Sequence, residues 1–420
     1  MRKLLTIPFV FMIIMTAVAQ EQTVKQDKPV EVKISGFIMN NLFYDNRKNL
    51  DALDGLVLLY PLPKQIDSAG EDLNKVSNLN LLAFASRLRF GITGPDALGA
   101  KTSGLIEFDF TGRGNCASVR FRQGWVKLNW EHTELLVGRA WHPLVVMDVI
   151  PSVQALGMGA PFQPFNRSEQ ITVTRKMGYF NVILSAIFQN DYINNGPSGK
   201  TYTYQNNAIV PNMHLQFKYK SDNVIAGAGA DYKRLKPRTY VISPIGKDTT
   251  KTDAVVNCLT FIGYAQVKTG YLTVSAKALL AENTSEDLMT GAFGTSSYDS
   301  LTGREEYIPF HHLFVWGNVS YGNKLKASIF VGFLKNMGTS ENLIPTSKAK
   351  PTVYGLGEDI GQMLRITPTV SYTFNKLVVA LEVEHNIVAY GTINTADKGK
   401  IINTSSVSGT RVLASLCYNF

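Results

Sequence analysis

Six charged residues occupy alternate positions in three apolar segments of the chain. They are Arg87 and Arg89, Glu107 and Asp109, and Arg120 and Arg122. Successive side chains of a β-strand point to opposite faces, so each segment predicts one apolar face and one charged face. Hairpin geometry would bring Arg87 beside Glu107, with Arg120 and Arg122 on the other side of the two acids. Two interpretations stay open: the ion pairs brace the wall, or the surplus of arginines creates a field that favours anions.

Catalytic and metal-binding patterns are weak. His311 and His312 are the only adjacent histidines, and in a strand they would face opposite sides, so together they do not predict a metal site. The sequence contains no His-Glu-x-x-His, phosphate-binding loop or Gly-x-Ser-x-Gly motif. We expect no enzyme, no metal and no cofactor. A surface Ser–His pair, as outer-membrane lipases use, is the enzymatic alternative.

Cysteine usage and net charge exclude two further classes. Cys116, Cys258 and Cys417 are far apart and odd in number, which argues against a disulfide scaffold or a zinc motif. Cys258 and Cys417 lie in alternating segments and are interpreted as small wall residues. The net charge of +9 is spread over the chain without a basic cluster, so no nucleic-acid partner is expected.

Residues 1–19 have the pattern of a cleaved signal peptide. Arg2 and Lys3 precede an apolar stretch from Leu4 to Met15, and Ala17-Val18-Ala19 forms a small-residue cleavage site. Residues 20–29 are then a short periplasmic lead. No later run is apolar over about 18 residues, which excludes a helical membrane protein. The chain is therefore expected to be exported.

The C-terminal segment alternates with a period of two. Val412, Ala414, Leu416, Tyr418 and Phe420 share one face, and the segment ends on an aromatic residue. In a soluble protein this strand would leave an open edge, whereas in a closed barrel it pairs with the first strand. The pattern predicts the last strand of a β-barrel.

The same alternation recurs upstream as hairpins. Seven short turns fall near residues 94–100, 131–133, 176–178, 221–223, 268–270, 322–323 and 374–375. Eight longer connections fall near residues 47–79, 112–117, 142–167, 191–210, 235–255, 283–309, 336–359 and 391–406. This alternation predicts an all-β, closed antiparallel transmembrane barrel of about sixteen strands over residues 30–420, with periplasmic turns and extracellular loops.

Aromatic residues beside the short turns support a membrane setting. They are Trp130, Tyr179, Tyr219, Tyr271, Tyr321, Tyr372 and Tyr418. Tyr and Trp favour the membrane–water interface because the ring is apolar and its polar atom reaches water. The alternative is that aromatics are simply common in strands. In such a barrel an arginine facing lipid costs ~2–4 kcal/mol near mid-depth, so the alternating charges must face inward.

Four segments resemble a known family. They are residues 86–99 (SRLRFGITGPDALG), 105–110 (LIEFDF), 120–130 (RFRQGWVKLNW) and 134–143 (ELLVGRAWHP). They resemble strands of sixteen-stranded porins, and most closely those of DcaP-like porins and their Bacteroidetes relatives. The resemblance implies a passive, trimeric outer-membrane channel, surrounded by lipids and lipopolysaccharide, that takes small polar or anionic solutes. It also implies that Tyr418 and Phe420 form a signal read by the barrel-assembly machinery.

The third long connection, residues 142–167, is unusually apolar for an extracellular loop. It contains Leu144-Val-Val-Met-Asp-Val-Ile and must pack on something. The porin resemblance implies that it folds into the lumen and narrows it; packing on a neighbouring subunit is the alternative. Arg139 enters this loop, and Asp148 is its only acid, which could oppose the arginines. Further inward basic candidates are Lys127, Arg175, Arg365 and Arg411, where Lys127 requires a β-bulge near Gly124.

We therefore expect a signal-peptide-bearing outer-membrane porin for passive diffusion of small hydrophilic solutes, with an anion preference. The expected pore-lining residues are Arg87, Arg89, Glu107, Asp109, Arg120, Arg122, Arg139 and Asp148. A substrate-specific channel and a non-conducting structural or surface-binding barrel are the alternatives.

Overall fold

The computed structural model describes residues 29–112, 118–345 and 352–420. The predicted signal peptide, nearly all of the lead segment and Cys116 lie outside the described residues. Sixteen antiparallel strands form one closed barrel, as the sequence predicts. The strands are β1 (Glu31–Asp45), β2 (Asn78–Leu82 and Arg87–Thr93), β3 (Lys101–Asp109), β4 (Arg120–Asn129), β5 (Thr133–Trp141), β6 (Arg167–Met177), β7 (Phe180–Phe188), β8 (Asn212–Lys220), β9 (Val224–Leu235), β10 (Val256–Thr269), β11 (Leu272–Glu282), β12 (His311–Gly322), β13 (Leu325–Gly338), β14 (Ile360–Phe374), β15 (Leu377–Asn394) and β16 (Lys400–Asn419).

The barrel closes where β1 pairs with β16. The ladder runs from Phe37 opposite Asn419 to Asp45 opposite Arg411. Gly36 and Phe420 exchange two backbone hydrogen bonds, of 3.2 and 3.1 Å, beyond the end of this ladder. A Cβ atom at Gly36 would lie 2.1 Å from the carbonyl oxygen of Arg87, so only glycine fits this close approach between β1 and β2. Closure removes the open edge that a terminal strand otherwise leaves.

Short and long connections alternate around the barrel. All seven observed short connections begin and end within two residues of their predicted positions. The predicted loop 391–406 is wrong, because β15 and β16 continue pairing and leave only residues 395–399 as the connection. The polar residues Thr404, Ser405 and Ser406 suggested a loop, yet they belong to a hairpin whose strands extend beyond the rest of the wall.

The outer face of the barrel is apolar and carries the predicted aromatic band. Ile34 and Leu215 are typical of the exposed aliphatic side chains of this face. Tyr271 and Tyr321 lie beside neighbouring short turns, with ring centroids 6.4 Å apart. An apolar band flanked by aromatic rings is the outer surface that a membrane barrel presents to lipid.

The main hydrophobic core lies inside the barrel. It combines inward-facing residues of the wall mainly with residues of the first loop (residues 46–77) and the third loop (residues 142–166), and Tyr192 and Met289 join it from two other long connections. The first loop contains a hairpin of Asn49–Ala52 and Val57–Pro61. Helices within the described ranges are short: 3-10 turns at Pro143–Val145 and Ser285–Asp287 and an α-helix at Thr203–Ala208. None of the helices there is long and apolar enough to cross a membrane.

Candidate functional site

The six alternating charges of β2, β3 and β4 form one cluster on the inner wall, which we call the arginine wall. Glu107 accepts hydrogen bonds from Arg89 and from Nε of Arg122, the latter at 2.8 Å. Asp109 accepts from Nη1 of Arg122 at 2.7 Å and lies 3.5 Å from Nε of Arg120. Both carboxylates are fully buried. The strands thus bring the acids between two basic columns, because Arg89 stands opposite Glu107 and Arg120 stands opposite Asp109.

A β-bulge places Arg122 between the two carboxylates. Glu107 pairs with Gln123 and Phe108 pairs with Phe121, so Arg122 is the extra residue of β4. The bulge lies two residues before the predicted position near Gly124. It returns Lys127 to the inner face, where the Lys127 ammonium lies 2.9 Å from Glu134.

Guanidinium groups outnumber carboxylates in the arginine wall. The four arginines Arg87, Arg89, Arg120 and Arg122 face two acids, with Arg87 3.8 Å from Glu107. Nε of Arg87 and Nη2 of Arg120 are buried without a hydrogen bond to any described residue. The pairs brace the wall and still leave excess positive charge, so the two interpretations of these residues are compatible.

A cavity of about 180 Å³ separates the arginine wall from the third loop. Arg87, Arg89 and Arg122 line one side, and Met147, Gln154 and Leu156 of the loop line the other. This cavity thus has a basic side and a mostly apolar side. Such a passage could sort solutes by charge and by size.

Arg139 and Asp148 do not join the arginine wall. Nη2 of Arg139 donates to Asp191 at 2.6 Å, and Nη1 lies 3.5 Å from Glu169. In the strand register Arg139 shares the face of Val137, which is 47% exposed on the outside of the barrel. Strand alternation thus separates Arg139 from the pore-lining positions predicted for it.

Asp148 lies at the opposite side of the third loop from the arginines. It accepts hydrogen bonds from Lys218 at 2.7 Å and from Lys220 at 2.6 Å. Partial burial favours the neutral acid, but the two lysines outweigh it and hold the pKa of Asp148 below its ordinary value. The transverse field that Asp148 could set up against the arginines is therefore largely neutralised by β8.

Aromatic packing fixes the third loop against the far wall. Phe162 is fully buried, with its ring centroid 6.2 Å from that of Phe330 on β13. Trp316 of β12 donates to the side-chain oxygen of Gln163 at 3.0 Å, and Gln163 donates to the carbonyl of Val145 at 2.7 Å. The apolar residues that made this loop unusual therefore pack inside the barrel.

Three charged residues of the wall bind backbone atoms of the loops. Lys277 donates to the carbonyl of Val145 at 2.7 Å. Arg365 donates to Ala160 of the third loop at 2.7 Å and to Leu59 of the first loop at 2.8 Å. Glu382 accepts from the backbone amides of Gln154 and Ala155. These bonds make the loop positions specific, because a buried charge left without partners costs several kcal/mol.

The role of the first loop was missed in the sequence. Arg411, predicted only as a basic candidate, binds Asp45 through two hydrogen bonds of 2.8 Å and donates to Gly55 of this loop at 2.5 Å. Val57 and Tyr60 join the interior core. The signal was present as the apolar run Leu56-Val-Leu-Leu-Tyr, which has no reason to remain in water.

Two further arginines lie away from the arginine wall: Arg175, which was predicted to face inward, and Arg167, which was not predicted. Arg175 lies two residues after Val173 on β6 and so shares its outward face, and it donates to the hydroxyl of Thr133. Arg167 is fully buried, with its guanidinium 4.5 Å from the ring centroid of Trp141 and 5.0 Å from that of Phe165. Its Nη2 donates to Tyr192 at 2.7 Å. Sequence reasoning missed Arg167 because it lies at the boundary of a loop and a strand.

Both ends of the third loop rest on buried ionisable groups. At its end, Asn166 donates to Asp287 of the sixth long connection (residues 283–310) at 2.9 Å. Burial raises the pKa of Asp287 to about 7 and that of Glu286 to about 7, although Lys233 opposes both shifts. At its start, His142 accepts from the amide of Leu144 at 3.2 Å, and burial lowers its pKa to about 4.

Within the described residues, no group of three or more His, Cys, Asp or Glu side chains is placed to hold a metal ion. The histidine pair of β12 follows the strand rule: His312 is fully buried, whereas His311 lies 3.1 Å from Glu282. The chemistry of the interior is thus that of a charged wall and docked loops.

The barrel shares its fold with outer-membrane porins. The outer-membrane channel DcaP of Acinetobacter baumannii is similar with a TM-score of 0.64 and 14% identity, covering 93% of this chain and 98% of that one. OmpT of Vibrio cholerae is similar with a TM-score of 0.55 and 12% identity, over 94% and 99% of the two chains. An anion-selective porin from Comamonas acidovorans has a TM-score of 0.52 and 14% identity, over 93% and 100%. No family model and no curated protein matches the sequence.

Proposed function

We propose that the chain is a porin of the Gram-negative outer membrane, through which small hydrophilic solutes diffuse passively. The observation that carries this proposal is a closed barrel with an apolar outer face, a charged inner wall and loops docked inside the lumen. The similarity to porins in fold supports it. Export by a signal peptide at residues 1–19 and a relationship to DcaP-like porins form part of the same proposal.

The third loop, in this proposal, forms the constriction together with the arginine wall. Excess positive charge on one side of the cavity favours small anions over cations, because the surrounding low-dielectric wall focuses the field. An anion-selective porin is among the proteins of similar fold. Salt screens such fields over about 10 Å at 0.1 M ionic strength, so the preference should be largest in dilute salt.

A substrate-specific or silent barrel is the second candidate. The extensive apolar packing of the first and third loops favours it, because docked loops leave less open lumen. Liposome swelling with uncharged sugars of increasing size separates the candidates. Diffusion predicts swelling rates that fall smoothly with sugar size, whereas a silent barrel gives no swelling and a specific channel responds to one solute.

We further propose a homotrimer assembled by the barrel-assembly machinery, in contact with lipid and lipopolysaccharide. One structure of the Vibrio protein is a trimer form, with 11% identity to this chain. Unboiled protein should migrate in SDS as a compact species of higher mass than boiled protein. Identical migration of the two samples would count against the closed oligomeric barrel.

A further inference from the structure

The inner wall at the short-turn end of the barrel carries a series of lysines, which we call the lysine collar. Its members are Lys33 of β1, Lys101 of β3, Lys127 of β4, Lys176 of β6, Lys218 and Lys220 of β8, Lys268 of β10 and Lys326 of β13. Each lies within a few residues of a short turn or of the start of β1. The collar therefore extends around much of the barrel mouth.

Strand register places these lysines on the inner face. Lys33 lies between Val32 and Ile34, which are both exposed on the outside. Lys268 follows Gln266, whose partner Ser275 is buried inside. Lys326 precedes Ser328, whose hydroxyl donates to Ser152 of the third loop. Because side chains alternate along a strand, the lysines point toward the lumen.

Only half of the lysines in the collar lie beside a carboxylate. Glu134 lies near Lys127 and Lys176, at 2.9 and 3.8 Å, and Asp148 binds Lys218 and Lys220. The remaining members, Lys33, Lys101, Lys268 and Lys326, form no ion pair with a described residue. The first three are exposed and the fourth is partly exposed. Among the described strand residues at this level, the other inward-facing acid is Glu31, and Asp96, Glu131 and Asp222 lie in the short turns themselves.

The collar differs chemically from the arginine wall. The arginines are mostly buried and bind fixed carboxylates, so much of their charge is already matched. Lysine ammonium groups are compact, flexible and strongly hydrated, and these are accessible to water. Lys101 and Lys127 lie on neighbouring strands in diagonal register, which brings the two residues within roughly 7–8 Å of each other. Several such groups can bind one ligand that carries several negative charges.

We infer that the lysine collar is a binding site for multivalent oxyanions, of which phosphate-bearing solutes are the clearest class. This inference rests on the proposed channel function and adds a second charge-selective site on the same route. The collar lies at the short-turn end of the lumen, where Asp148 of the docked third loop contacts Lys218 and Lys220. A multivalent anion too large for the constriction therefore reaches it from the short-turn side alone.

Tripolyphosphate is the probe for this site in planar bilayers. In about 0.1 M potassium chloride, where screening is moderate, tripolyphosphate should reduce the single-channel current when it is added to the chamber that faces the short turns. Added to the opposite chamber, it should have little effect. Raising the salt to about 1 M, where the screening length falls to about 3 Å, should relieve the block. Equal block from both sides would overturn the inference.

A charge-matched pair of variants identifies the residues responsible. The collar variant combines Lys33→Gln, Lys101→Gln, Lys268→Gln and Lys326→Gln. The control combines Lys64→Gln, Lys75→Gln, Lys247→Gln and Lys251→Gln, four exposed loop lysines. The collar variant should need at least about tenfold more tripolyphosphate for half-block, as expected when a focused field is removed. The control should behave as wild type, and equal effects of both variants would refute the collar.

Calorimetric titration of tripolyphosphate into the folded protein in detergent tests the site without conduction. Binding that weakens in the collar variant and persists in the control supports the inference even in a silent barrel. Conduction without binding contradicts the collar alone. Absence of current with intact binding contradicts the proposed channel and leaves the site in place.

Discussion

The two sides of the lumen are built in opposite ways. On β2 to β4, charged side chains bind one another across adjacent strands, and each partner is close in sequence, as Arg122 and Glu107 are. On β10 to β15, the wall combines aromatic and aliphatic side chains with a few buried charges, and a loop distant in sequence packs on it. Arg365, for example, binds Ala160, 205 residues earlier. The contacts of the first side follow from the register of adjacent strands, whereas those of the second side depend on how the third loop packs against the wall. This difference predicts that barrel stability and pore width depend on different parts of the sequence.

Neutralising the acids of the arginine wall should have the largest effect. Glu107→Gln with Asp109→Asn leaves Arg122 buried between neutral groups, and removing one partner of a buried ion pair costs about 3–5 kcal/mol. We expect a lower temperature for conversion of the compact to the unfolded gel band, and a lower yield of folded barrel. Glu131→Gln with Asp222→Asn, at exposed short-turn positions, is the matched control. Equal thermal stability of the two double variants would show that the buried ion pairs of the arginine wall do not stabilise the barrel.

Undocking the third loop should change conduction more than stability. Phe162→Ala removes a fully buried ring, a loss of about 3–5 kcal/mol in local packing. Gly332→Val tests the same contact from the wall, because a Cβ atom there would lie 2.5 Å from the Phe162 ring. Both variants should raise single-channel conductance and current noise, and the half-buried Ile150→Ala should do neither. A fall in barrel melting temperature with unchanged conductance would show that the loop braces the wall instead.

The response to pH should distinguish the docked third loop from the arginine wall. Glu286 and Asp287 have pKa values raised to about 7, so their neutral forms stabilise the folded anchor. That stabilisation is present below their ordinary pKa values and is lost as the pH rises through about 7. Between about pH 6.5 and 8, the contact of Asn166 with Asp287 that holds the end of the third loop should weaken, and current noise should rise. This range lies above the ordinary pKa of histidine, so titration of unperturbed histidines does not contribute.

The control for the pH response is Glu286→Gln with Asp287→Asn. These amides keep the shape of the anchor and cannot ionise, so the noise should become independent of pH in the same window. A response that persists unchanged in this variant would assign the pH dependence to another group.

Local patterns explain why much of the barrel could be predicted. Alternation identified the strands, and turn residues such as Gly322 marked the hairpins, because both effects operate within a few residues. The placement of the two acids between arginines follows from the same register, although Arg89, and not the predicted Arg87, stands opposite Glu107. Arg139 lies two residues after the outward-facing Val137, so alternation alone would have placed it on the outer face. It was predicted to line the pore because it precedes the third loop.

Long-range docking could not be predicted from those patterns. Binding of Leu59 by Arg365 joins residues from opposite ends of the chain, and no local periodicity encodes it. The neutralisation of Asp148 by Lys218 depends on where the third loop comes to rest. An inward-facing Lys127 requires a bulge somewhere in β4, and this much could be predicted. That Arg122 is the extra residue depends on how β3 and β4 pair.

The smallest expected effect concerns the seam between β1 and β16. Deleting Phe420 removes two backbone hydrogen bonds to Gly36 and the proposed assembly signal. We expect a lower yield of inserted barrel, with normal conductance in the fraction that assembles. Phe420→Tyr should restore the yield, since it keeps the ring and the backbone. Full insertion of the deletion variant would refute the assembly role.

Single-channel recording across a potassium chloride gradient measures whether the arginine wall and the docked third loop together control conduction. We predict stable ohmic steps and a reversal potential of the sign for chloride preference, which moves toward zero in Arg120→Ala with Arg122→Ala and at high salt. The Phe162→Ala variant should conduct more and select less. A folded barrel that gives no steps, or a cation-selective wild type, would contradict a lumen narrowed by the third loop against a basic wall.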